Sequence, residues 1–178
     1  RLAMAFEVEN SSSKAILVNA ITQIYPLETE SYPEKKRAAL FNKTIEIPAN
    51  RKIKIFDTLT IKNPLLWGPP PHQTPHLYSA HTRLYIKNQL VDDYETSFGI
   101  RSVQFDPWKG VVINGEAIRL KGVNQHHDLG ALGAAFNSRA AERQLELLRE
   151  VGCNAIRMAH NPPAPELLDL MDRMGFLV

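Results

Sequence analysis

The sequence predicts a mainly β fold that gives way to α/β: an immunoglobulin-like β-sandwich followed by the opening β/α units of a truncated TIM barrel. Three observations carry this. Short β-rich runs separated by Ser- and Pro-rich turns occupy residues 1 to about 103, with no helix-period segment among them. After Phe105-Asp106-Pro107 the pattern changes to strand, helix, strand, helix, strand, the order of a parallel α/β unit. Two of those strands end alike. Leu120–Val123 runs into Asn124-Gln125-His126-His127-Asp128, and the strand from Asn154 runs into Arg157 and His160 before Asn161-Pro162-Pro163 stops it. Parallel strands joined by a helix deliver such residues to one sheet edge, which in a β/α barrel is the catalytic face.

The elements follow in order. The clearest strand is Ile53–Ile61, with Ile53, Ile55, Leu59 and Ile61 on one face and Lys54, Thr58 and Thr60 on the other. Further runs are Ala3–Glu9, Ala15–Ile24, Ala39–Ile47, Tyr78–Ile86 and Tyr94–Val103, punctuated by Ser11-Ser12-Ser13, Pro48-Ala49-Asn50 and Pro69-Pro70-Pro71. About six short strands at this spacing suggest a sandwich. Val111–Ile113, Asn114-Gly115 and Ala117-Ile118 read as a hairpin, because Asn-Gly accepts the positive φ of a tight turn. The strand Arg119–Val123 follows. Asn137 or Ser138 caps a helix that runs through Glu150, with Ala141, Leu145, Leu148 and Val151 on one stripe and Gly152 as the stop. Pro165 suits the first turn of a second helix, with Leu167, Leu168, Met171 and Met174 as its buried side and Gly175 as its end. The domains are therefore drawn as 1–104, the sandwich, and 105–178, the barrel start.

Composition excludes several classes. A formal net charge of +2 is too small to argue for nucleic acid, and the basic cluster Lys35-Lys36-Arg37 is offset by Glu28, Glu30 and Glu34. No apolar stretch approaches membrane-spanning length, so no membrane partner is expected. The single cysteine, Cys153, excludes an internal disulfide. The chain opens at Arg1 directly ahead of a strand-like run, so the absence of a leader carries no weight and localisation stays unreadable.

From about Asn63 to Val178 the chain resembles the glycoside hydrolase family 2 proteins, which include β-galactosidase and β-glucuronidase. Asn154, Arg157, His160, the proline turn, Asp172, Gly175 and Phe176-Leu177-Val178 follow one family pattern, and Lys121–His126 looks like the family's first barrel strand. The family usually has Tyr after the histidine, where Asn161 stands here. The resemblance implies an immunoglobulin-like domain ahead of a catalytic barrel, of which this chain would hold roughly the first quarter. It implies a parent enzyme that removes terminal β-galactosyl residues with retention, with β-glucuronidase specificity as the alternative. Against β-mannosidase, a Trp rather than His would be expected after the Gly-x-Asn strand end. A non-catalytic β-sandwich binding module is the alternative from another class, since fold does not fix function.

Retaining hydrolysis needs two carboxyl groups about 5 Å apart, which the resemblance places on later barrel strands. No Glu falls at a barrel strand end here: Glu142, Glu146 and Glu150 belong to a helix, and Glu166 to a helix's first turn. No catalytic residue is therefore assigned within the chain, which alone should be inactive. The resemblance assigns His126 and His160 to sugar hydroxyls. Asp128 is a candidate for hydroxyl binding beside them, and Asn124 for orienting the strand end or touching the sugar. The resemblance implies that Arg157 anchors acidic groups beneath the site, a role its rigid donor fork suits. His126, His127 and Asp128 invite a metal reading, but neighbours on a strand point to opposite sides, so no metal or other cofactor is assigned here. The parent is left room for a divalent cation. His72, His76 and His81 read as loop residues, and Leu66-Trp67 with Leu77-Tyr78 as pins that hold the proline-rich loop to the sandwich. The expected partners are a β-galactoside-type carbohydrate and, through uncovered barrel edges, a second copy of the chain.

Overall fold

The computed structural model describes residues 1–27 and 37–178. Lys35 and Lys36, with the three glutamates set against them, lie outside the described residues. The chain divides into two compact units, Arg1–Pro64 with Tyr78–Phe98, and Leu65–Leu77 with Gly99–Val178. The sequence reading draws its domains as 1–104 and 105–178; each compact unit is assembled from two separate stretches of the chain.

The first unit is built from β1 (Leu2–Asn10), β2 (Ile16–Pro26), β3 (Ala39–Ile47), β4 (Arg51–Leu59), β5 (Leu77–Ile86) and β6 (Gln89–Gly99). β1 pairs antiparallel with β4, and β3-β2-β5-β6 form a second sheet. Alternation sets which residues enter the core: Val18, Ala20, Thr22 and Ile24 on β2 are buried, as are Ile55 and Leu59 on β4. The ring of Phe6 on β1 meets that of Phe41 on β3 edge-on at 5.9 Å, so the two sheets face each other across a shared apolar layer. Asn10 is a buried polar hub. Its side-chain amide donates to the carbonyls of Lys14, Ile47 and Pro48, and its oxygen accepts from the backbone and hydroxyl of Ser12.

In the second unit β7 (Val103–Asp106), β8 (Gly110–Ile113) and β9 (Glu116–Ile118) form an antiparallel sheet, turned at Asn114-Gly115 as the sequence suggests. The expected single run Tyr94–Val103 is broken. β6 stops at Gly99, where an added Cβ would lie 2.8 Å from the Cβ of Trp67, and the chain resumes in β7 against β8. β10 (Gly122–Gln125), α1 (Ser138–Glu150), β11 (Ala155–Met158) and α2 (Pro165–Met174) follow. β10 and β11 are parallel, in the register Asn124 opposite Arg157 and Gln125 opposite Met158. Beyond α2, Leu177 bridges in parallel to Ala155, the beginning of a third strand beside β11.

Asn137 caps α1 by accepting from the Ala140 amide at 3.0 Å, and Gly175 ends α2 with φ 78°. Ala141, Leu145, Ile156, Leu167, Leu170, Met171 and Phe176 form the core between helices and strands. Two stripe assignments change. Leu170 is buried where Leu168 was expected, because 167, 170, 171 and 174 share one helical face and 168 turns off it. Val151 has left the helix as its C-cap and is exposed.

Trp67 also departs from expectation. The sequence reading ties it to the sandwich, yet its 3% exposure reflects packing within the second unit. Its indole N–H donates to the Asp172 carbonyl at 2.8 Å, and the Arg101 guanidinium lies 4.7 Å over its ring. The Asn114 side chain donates to the Trp67 carbonyl and to Gln73, which donates in turn to the Ile113 carbonyl. The proline-rich loop belongs to the second compact unit. Within the loop the Gly68 amide donates to the Thr74 carbonyl and the Gln73 amide to the Pro69 carbonyl. Helix α2 and the β8–β9 turn supply the partners of the Trp67 indole and carbonyl and of the Gln73 side chain.

Candidate active site

The site is formed where β10 and β11 end together. Parallel pairing places Asn124 beside Arg157, and one step further on the Ala159 amide donates to the Gln125 carbonyl at 2.9 Å. That bond holds the two strand ends level as each turns into a loop. His126 and His160 then meet, ring centroids 5.8 Å apart and planes at 77°. Both are exposed, as are Asn124, Asp128 and Arg157. Two imidazoles and an amide are therefore exposed at one edge, and their nitrogens and oxygen are of the kind that donate to or accept from hydroxyls.

Asp128 is partly committed. Its Oδ1 accepts from the Gly130 amide at 2.9 Å, which shapes the turn into the short 3-10 segment Gly130–Leu132 and leaves Oδ2 for another donor. Arg157 makes no ion pair among the described residues. An exposed guanidinium fork at a strand end is thus open to a carboxylate. Glu142 and Glu146, by contrast, are engaged along the outer face of α1: Arg139 donates to both, and Arg143 to Glu146. The Arg139 and Arg143 hydrogen bonds hold the Glu146 carboxyl below its ordinary range. These glutamates form a solvated ion-pair face remote in character from a proton-transfer site.

A cavity of about 140 Å³ lies beside the edge, lined by Gln125, His126, His127 and Asp128 at its polar end and by Leu129, Phe136 and Leu167 among its apolar walls. Of the five predicted residues only His126 and Asp128 border it; Asn124, Arg157 and His160 do not. Among the described residues no three His, Cys, Asp or Glu side chains converge to hold a metal ion. No step is assigned to one.

Residues 1–101 match the family described as "Glycosyl hydrolases family 2", and residues 107–178 match "Glycosyl hydrolases family 2, TIM barrel domain". The chain belongs to glycoside hydrolase family 2. Its sandwich and barrel start are thus the family's own two domains in the family's order. Among family 2 relatives, the β-galactosidase BoGH2A of Bacteroides ovatus is 49% identical over 133 residues, covering 75% of this chain and 15% of the relative. A β-glucuronidase of Formosa agariphila is 30% identical over 173 residues, covering 96% of this chain and 17% of that protein. Among solved structures, a family 2 member from Bacteroides cellulosilyticus superposes with a TM-score of 0.88 at 31% identity over 98% of this chain and 23% of its own. The chain therefore spans less than a quarter of each of these family 2 proteins.

The sequence reading found the histidine edge but passed over Gln125 and Gln144. Strand alternation was the available signal: if Asn124 and His126 face the open edge, Gln125 must face the helix layer, where a polar side chain needs a partner.

Proposed function

We propose that the full-length protein is a retaining β-glycosidase acting on terminal β-galactosides, and that this chain supplies part of its sugar-recognition edge. The observation that carries the reading is the convergence of His126 and His160 at 5.8 Å on adjacent parallel strand ends. In this reading both imidazoles hydrogen-bond sugar hydroxyls whose positions shift as the ring flattens toward an oxocarbenium ion. Contacts that improve along that path lower the barrier, where contacts of constant strength would only tighten binding. Asn124 and the uncommitted Oδ2 of Asp128 add further hydroxyl partners. Arg157 holds in place one of the two carboxylates that retaining hydrolysis needs, each supplied by residues outside these 178. The 49% identity to a β-galactosidase supports the galactoside assignment.

A second reading, β-glucuronidase, is favoured by the several relatives of that name and by the unpaired guanidinium of Arg157, which could meet a sugar carboxylate. Steady-state kinetics of the full-length protein on aryl β-galactoside and aryl β-glucuronide separates them. A higher kcat/KM on the galactoside is expected. A higher value on the glucuronide replaces the first reading with the second, and turnover of neither leaves a non-catalytic carbohydrate-binding module.

A further inference from the structure

The edge described above is gripped from behind by one side chain on α1. Gln125 turns away from the open face, and its Nε2 donates to Gln144 Oε1 at 2.8 Å. Gln144 Nε2 donates onward to the backbone carbonyl of Asp128 at 3.1 Å. The polarity of this chain is dictated by its end. A backbone carbonyl can only accept, so the NH₂ of Gln144 must face Asp128, its oxygen must face Gln125, and the NH₂ of Gln125 must face Gln144. The Gln125 oxygen is then left buried with no partner among the described residues, as the structure has it. Reversing both amides would set an oxygen against the Asp128 carbonyl and bury an unpaired NH₂ instead.

Gln144 is therefore tied to both halves of the edge. Gln125 lies between Asn124 and His126, and its carbonyl accepts from Ala159, the residue before His160. Asp128 opens the loop that returns through Leu129, whose amide donates to the Gly133 carbonyl. We propose that Gln144 is a positioning residue: without touching the sugar, it fixes where β10 ends and where the 126–136 loop begins, and so sets the spacing of His126, Asp128 and His160. The proposal rests on the functional reading of that edge, and its test keeps the two apart.

The test uses Gln144→Met and Gln144→Glu in the full-length protein, with hydrogen exchange and steady-state kinetics on each. Gln144→Met keeps the length and loses both hydrogen bonds. The amides of Leu129, Leu132, Gly133 and Ala135 should exchange at least about 10-fold faster, while those of α1 stay as in wild type. On the preferred aryl glycoside, kcat should fall about 10-fold or more with little change in KM, because the displaced contacts act in the transition state. Gln144→Glu still accepts from Gln125 but sets a carboxylate against the Asp128 carbonyl near neutral pH. Relative to wild type it should recover as pH falls toward the ordinary Glu value of about 4.3, where the protonated carboxyl can donate. A general loss of packing would produce no such pH-dependent rescue. Unchanged loop exchange in Gln144→Met overturns the proposal, as does faster loop exchange with wild-type kcat or a Gln144→Glu deficit flat with pH. If the wild-type protein turns over no β-glycoside, the functional reading fails, and loop exchange alone decides whether Gln144 holds the edge.

Discussion

Trp67 offers the sharpest test of the architecture, because its place in the sequence and its place in the fold disagree. It stands between β4 and β5 of the sandwich, yet its indole is buried in the second unit. Trp67→Ala removes a side chain that is 3% exposed, and truncating a large buried aromatic costs about 3–5 kcal/mol. The lost hydrogen bond to Asp172 and the lost stacking of Arg101 fall within that range and are not added to it. About 4 kcal/mol corresponds to roughly a 10³-fold rise in the opening equilibrium. Trp67→Phe keeps most of the ring and loses the indole N–H, so it should cost about 1 kcal/mol. Hydrogen exchange read by peptide locates the damage. Protection should fall in residues 103–118 and 138–178, while residues 2–26 and 39–59 stay near wild type. Loss confined to the sandwich strands, with the helices untouched, would show that the loop belongs where the sequence reading put it and that the packing argument is wrong.

Other expectations are simpler. Partial burial, then repulsion from Asp169, raises the Asp172 carboxyl above its ordinary 3.8 despite the opposing Arg101. A carboxyl raised in the folded state adds stability below its unfolded value and loses it as pH rises through the folded one. Asp172→Asn should therefore raise the thermal midpoint at pH 7 and leave it little changed near pH 3; the reverse pattern contradicts this. Leu145→Ala, at a fully buried position facing α2, should cost about 2–5 kcal/mol in denaturant unfolding of the second unit, and a cost under about 1 kcal/mol would mean the helix layer is loosely packed. The 178-residue chain on its own leaves Leu120 and Val123 on the β10 side and Val178 on the other exposed. It should self-associate in sedimentation equilibrium at micromolar concentration, and a strictly monomeric species would contradict that.

Much of this was legible in the sequence for identifiable reasons. Alternation along Ile53–Leu59 and the 3.6-residue stripe of Ala141 and Leu145 are strong local signals, although β4 starts at Arg51 and stops before the expected Ile61. Asn137 and Gly175 have steric and hydrogen-bonding reasons to stand at helix ends. The shared ending of β10 and β11 was visible because parallel strands carry their C-terminal residues to one edge. What escaped was non-local. Nothing in Leu66-Trp67 says that its hydrogen-bond acceptor lies on α2, 105 residues away. The need for a glycine at 99 depends on Trp67 lying against it, and the Leu168-to-Leu170 change depends on which face of a short helix the neighbouring strands cover. Gln125 and Gln144 are 19 residues apart and unremarkable singly; only the fold joins them.

The central claim is that His126 and His160 serve one sugar at one edge. The most direct measurement is kcat/KM for His126→Ala and His160→Ala in the full-length protein, each on its preferred aryl β-glycoside. Both substitutions should cost at least about 2 kcal/mol of transition-state stabilisation, roughly a 30-fold loss carried mainly by kcat. A variant of either histidine within about twofold of wild type would remove that residue from the site and contradict the account.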